Sequence, residues 1–162
     1  MNSKTFVCLR NLVCLPILAV AMFAVLPTGV EAQDEAENVP AEYRQSLMQG
    51  LRHHQAALRT LLDGGVDYSG HIAHHAHAIE GIVTMAADAF PEGSGGDGSR
   101  AMAEIWDNPS AFMEKLAAVG SAASGLSQAA DAGSMDAVRE TFGALGQGCR
   151  GCHMEFRARA ND

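Results

Sequence analysis

The chain has 162 residues, 48% of them hydrophobic, with 11 Lys and Arg against 19 Asp and Glu, for a net charge of −8. That balance excludes the basic surface that a nucleic-acid partner requires. Plain solubility explains the acidity, and a basic redox partner is the functional alternative.

Lys4 and Arg10 give the N-terminus a positive start, residues 12–26 are almost wholly apolar apart from Pro16, and Val30-Glu31-Ala32 supplies small residues. This pattern reads as a secretory signal peptide spanning residues 1–32 and cut after Ala32. A retained membrane anchor is the alternative, but the apolar run is short for a span. Cleavage removes Cys8 and Cys14, leaving Cys149 and Cys152 as the cysteines of the mature chain. The remainder, from residue 33 onward, is roughly 130 residues, the size of one domain.

Residues 33–38 are a polar lead-in. Asn38 suits a helix cap, with Pro40 and Glu42 in the first turn. Leu47, Leu51, His54, Leu58, Leu61 and Leu62 then recur at helical spacing until Gly64-Gly65 stops the helix. A second helix is expected over residues 69–90, with Ile72, Ala76, Ile79, Val83, Ala86 and Phe90 on its inner side. Residues 91–99, rich in Gly and Ser, form a loop. Ile105-Trp106 leads into Asp107-Asn108-Pro109, a cap with proline at the first helical position. A third helix carries Phe112, Leu116, Val119, Ala123 and Leu126. Gly133 closes it, and Ser134 is placed to cap a fourth helix with Met135, Val138, Phe142, Leu145, Cys149, Cys152 and Phe156 on one face. No window alternates like a strand. The fold class is therefore all-α, an antiparallel four-helix bundle.

Cys149-Arg150-Gly151-Cys152-His153 carries the chemistry. Two cysteines three apart lie on one helical face, one turn apart. Each thiol can add to a vinyl group of haem to form a thioether, and the adjacent histidine can offer a ring nitrogen to the iron. A thioredoxin-like dithiol would need a βαβ context, and a zinc site a second ligand pair; neither is evident. The motif thus indicates one covalently attached haem c per chain. Such a group would supply much of the core of an Ala- and Gly-rich chain, so the apo form is expected to fold poorly.

Six of the seven histidines invite a separate metal reading. His71, His74, His75 and His77 crowd the start of the second helix, with His53 and His54 on the first. Spacings of three and four can align imidazoles on one face. The plainer reading is a solvated face that titrates near neutral pH.

The chain resembles the cytochrome c-prime family, including its low-spin cytochrome c-556 members. The resemblance rests on CxxCH at the end of the last helix followed by Phe156-Arg157, on Tyr43-Arg44-Gln45 with Met48 four residues after the arginine, on Ala89-Phe90-Pro91-Glu92-Gly93-Ser94, and on Glu104-Ile105-Trp106. It implies His153 as the proximal iron ligand and Met48 as the residue on the distal side. Arg44 and Gln45 are then implied at the propionate edge, Arg157 near the proximal side, Phe90 and Phe142 as ring contacts, and Asp97 in the Gly95-Gly96-Asp97 loop as a further contact. If the Met48 sulfur binds iron, the haem is low-spin and the protein is a one-electron carrier, which is the expectation drawn from the Arg44–Met48 spacing. If Met48 only fills the pocket, the iron is five-coordinate and small gases such as NO or CO compete for it. The resemblance also implies a periplasmic, soluble protein, a monomer or a homodimer built from the first two helices, serving a redox partner. No nucleophile elbow, P-loop, metalloprotease motif or distal acid–base pair is present, so no enzymatic activity is expected.

Overall fold

The computed structural model of the protein describes residues 38–159. The expected signal peptide and its boundary at residues 32–33 lie outside the described residues. Five α-helices follow in order: α1 (Val39–Leu62), α2 (Ile72–Ala86), the single turn α3 (Glu104–Asp107), α4 (Pro109–Asp131) and α5 (Met135–Phe156). The four long ones form the bundle. α1 packs on α2, α2 on α4, and α4 on α5.

Local chemistry explains most of the boundaries. Asn38 Oδ1 accepts from the Ala41 amide at 3.2 Å, satisfying one of the free donors at the start of α1. Its Nδ2 donates to the Gly95 carbonyl at 3.1 Å, so the same side chain ties the helix to a distant loop. Gly64, at φ 75°, enters the left-handed region just past the end of α1. Asn108 repeats the capping arrangement for α4, with Pro109 at its first position.

Two expectations need correction. The second helix does not begin at residue 69 or reach residue 90. A 3-10 turn, Ser69–His71, precedes it, and α2 ends at Ala86. Phe90 precedes Pro91, whose ring disfavours helical geometry in the residue before it, and the Ala89 carbonyl is taken by the Arg44 side chain. Ser134, expected as a cap, makes no side-chain capping bond; only its carbonyl engages the helix, accepting from Val138 at 2.8 Å.

The main core takes one or two layers from each long helix. It includes Leu51 and Leu58 of α1, Ile79 and Val83 of α2, Val119 and Leu126 of α4, and Val138 and Leu145 of α5. Burying a side chain of this kind contributes about 1.5–3 kcal/mol. A second cluster gathers Ile105, Phe112 and Phe156, with Phe90, Trp106, Leu116 and Cys152 against it. Phe112 meets Phe90 edge-on at 4.7 Å and Phe156 at 5.3 Å. This aromatic cap closes the end of the bundle that carries CxxCH.

Candidate haem-attachment site

The two cysteines sit in the last turns of α5, both half-buried and both free thiols. Cys149 packs against the main core and Cys152 against the aromatic cap. The pair therefore spans the boundary between the two clusters. Burial pushes both thiols above their ordinary pKa; Arg150 partly offsets this at Cys149, while Cys149 and Glu155 add to it at Cys152.

His153 is exposed to solvent, yet desolvation lowers its pKa, with Arg157 and Arg100 adding repulsion. Helix α5 also meets α1. These two helices are not among the closely packed pairs and meet instead through long side chains. The Arg59 guanidinium lies 5.7 Å from the Phe142 ring centre, and Arg139 donates to the Leu62 carbonyl.

Those contacts set an antiparallel register. Three residues separate Arg59 from Leu62, and three separate Phe142 from Arg139 in the opposite sense. Eleven residues back from Arg59 is Met48, and eleven on from Phe142 is His153. Eleven residues are just over three helical turns, about 16 Å of rise, so each residue returns close to the face it started from. Met48 and His153 therefore stand equally far along their helices from the Arg59–Phe142 contact. Met48 is half-buried against the main core.

The remaining candidate residues divide. Arg44 is buried, at 6% exposure, and its guanidinium is committed to the loop after α2. Nη1 donates to the Ala89 carbonyl at 2.8 Å and to Ser94 Oγ at 3.0 Å. Nη2 donates to the Ser94 carbonyl at 2.8 Å and to Ser99 Oγ at 2.7 Å. It also stacks 4.7 Å over the Phe90 ring. None of these acceptors is a carboxylate, and burial lowers its pKa. Gln45 is exposed and donates to the Gly98 carbonyl at 2.6 Å. Asp97 is exposed on the same loop. Phe90 belongs to the aromatic cap, whereas Phe142 packs against the main core, as Cys149 does, with the Arg59 guanidinium over its ring. Arg157 follows α5 directly and forms an isolated antiparallel bridge with Ala101.

Sequence reasoning missed the strap that this bridge belongs to. Met102 donates to the Phe156 carbonyl at 3.0 Å, Ala158 to the Arg100 carbonyl at 2.9 Å, and Arg100 Nη2 to the Ala158 carbonyl at 2.6 Å. The connection between α2 and α4 is therefore pinned to the end of the haem-motif helix. Trp106 Nε1 donates to the Pro91 carbonyl at 3.0 Å, holding the other side of that connection. No local periodicity signals these contacts, since every partner is distant in sequence.

Two cysteines on one face, an adjacent histidine, a loosely packed seam between α1 and α5 and an apolar floor of aromatic rings fit a covalently tethered haem. The histidine cluster is less ordered than its spacing suggested: among the described residues no three His, Cys, Asp or Glu side chains converge as a metal cage.

Comparison with known proteins agrees with this construction. The family model described as Cytochrome C' matches residues 40–157. Cytochrome c' of Pararhodospirillum photometricum is 34% identical over 117 residues, covering 72% of this chain and 94% of that protein. Cytochrome c' of Rhodospirillum rubrum is 33% identical over 143 residues, covering 88% and 97% respectively. Among solved structures, a nitric oxide complex of a point mutant of cytochrome c prime from Alcaligenes xylosoxidans superposes with a TM-score of 0.71 at 28% identity, covering 76% of this chain and 98% of that one. With the match running across all four long helices and the CxxCH turn, this chain belongs to the cytochrome c' family and is a c-type haem protein.

Proposed function

We propose that the protein is an exported haem c protein whose iron is five-coordinate and open on one side to small diatomic ligands such as NO or CO. The observation that carries this reading is membership of the cytochrome c' family together with the nitric oxide complex solved for a relative. The low-spin His/Met electron carrier expected from the Arg44–Met48 spacing receives no support from these relatives, and we give it up as the main reading.

Once bound, haem c would supply a redox-active iron able to take a small ligand. In this proposal Cys149 and Cys152 hold it to α5 through two thioethers, and His153 occupies the proximal position. Met48, half-buried on α1, would be a flexible apolar plug on the open side of that iron. Arg44 and Arg157 bring positive charge to the same end of the bundle, a setting that favours the propionates. Arg44 works there indirectly as well, since it fixes the loop that carries Ser94 and Asp97. The function is binding and one-electron cycling rather than catalysis, and the acidic surface is left to a redox partner of opposite charge. No described helix is long and apolar enough to cross a membrane. Residues 1–32 serve as a cleaved leader and the mature protein works in the periplasm.

The deciding measurement is the absorption spectrum of the ferric and ferrous holoprotein, with and without CO. A broad high-spin spectrum that shifts on adding CO supports the proposal. A far-red methionine-to-iron charge-transfer band, with no CO uptake, refutes it. In Met48→Ala, CO binding should quicken at least tenfold; an unchanged rate would show that Met48 does not guard the site.

A further inference from the structure

Between α1 and α2 the Nδ1 atoms of His54 and His75 stand 3.0 Å apart. One belongs to α1 and the other to α2. Both rings are half-buried, tilted by 58° with centres 5.2 Å apart. In the metal-free protein a single proton can sit between the two nitrogens.

We propose that this pair is a surface site for a divalent late transition-metal ion, Cu(II) or Zn(II), bridging α1 and α2 and separate from the haem. The distance carries the argument. Two nitrogens each about 2.05 Å from one ion and 3.0 Å apart subtend roughly 94° at it. That is a cis pair of a square or tetragonal site, the geometry of Cu(II) with imidazole ligands. Opening to a tetrahedral angle for Zn(II) asks the nitrogens to part by only about 0.3 Å.

The neighbours are suitable. His71, the residue immediately before α2, lies four positions before His75. Its ring now stacks on Tyr68 at 5.3 Å and is exposed, so it is free of the core and can turn inward as a third ligand. His77 is excluded, because its Nε2 is turned toward α4 and paired with Asp131 at 2.8 Å. Water completes the coordination. The rigid seating of both principal ligands on packed helices limits the entropy lost on binding.

The test is calorimetric titration of the holoprotein, whose cysteines are consumed as thioethers, with CuCl2 alone and with ZnCl2 alone in a non-coordinating buffer. The expected result is one ion per chain, with affinity reduced at least tenfold in His54→Gln and, independently, in His75→Gln. His53→Gln and His77→Gln should bind as the parent does, and the haem spectrum should not move. Electron paramagnetic resonance of the Cu(II) form should show coupling to two or three imidazole nitrogens. No uptake, or affinities in both His54→Gln and His75→Gln within tenfold of the parent, overturns the proposal. Using two single variants on different helices keeps the test decisive if one of them fails to fold.

Discussion

Arg44→Ala isolates the role of a buried cation that has no carboxylate partner. The side chain makes four hydrogen bonds to the loop after α2 and stacks on Phe90. Hydrogen bonds from a charged donor contribute about 1.5–3 kcal/mol each, but four that share one guanidinium do not add. Ser94 and Ser99 have hydroxyls that can turn to new partners. The Ala89 and Ser94 carbonyls cannot turn, and each loses its donor at a cost of about 1–3 kcal/mol. The lost stacking adds about 0.5–1 kcal/mol. Relief of the desolvated charge, visible in the lowered pKa of Arg44, works the other way. The net is about 3 kcal/mol of destabilisation. For a domain of roughly 120 residues, unfolding entropy near 0.25 kcal/mol/K turns this into a fall in Tm of about 12 °C. Circular dichroism melts of the holoprotein measure it, and hydrogen exchange should locate the added opening in residues 89–99. Arg44→Lys, which keeps charge but loses the fork, should recover less than half the loss. A melting temperature for Arg44→Ala within 2–3 °C of the parent would refute the clamp.

Other outcomes follow from single contacts. A Cβ on Gly95 would lie 2.9 Å from the Trp106 ring, so Gly95→Ala should cost about 1–3 kcal/mol, read as a lower Tm and as altered tryptophan fluorescence. Asn38→Ala removes the cap of α1 and its tie to Gly95; a loss of about 1–2 kcal/mol is expected in a denaturant titration. Leu58→Ala empties a site with no solvent exposure at the centre of the bundle, at a cost of about 2–5 kcal/mol. Cys149→Ser and Cys152→Ser should each leave one thioether, detected as a shifted pyridine haemochrome band, and the double variant should release haem on acid–acetone extraction. Retention of haem by the double variant would contradict the proposed attachment.

Helix caps, glycine stops and apolar stripes are decided within a few residues of chain. That is why Asn38, Gly64, Asn108 and Gly133 marked their boundaries well in the sequence. The end of α2 was misjudged because the apolar stripe runs on to Phe90 while Arg44, a residue of another helix, captures the Ala89 carbonyl. The His54–His75 pair was legible only as two histidines on different helices. Their meeting depends on the register of α1 against α2.

The sequence by itself determined that the chain is helical and that Cys149, Cys152 and His153 form a haem-attachment motif, because periodicity and a contiguous motif are local properties. Only the tertiary structure decided which helices leave a loosely packed seam and that Arg44 is spent on a loop. Those facts rest on side-chain volumes and backbone register between elements far apart in the chain, and no local pattern encodes them.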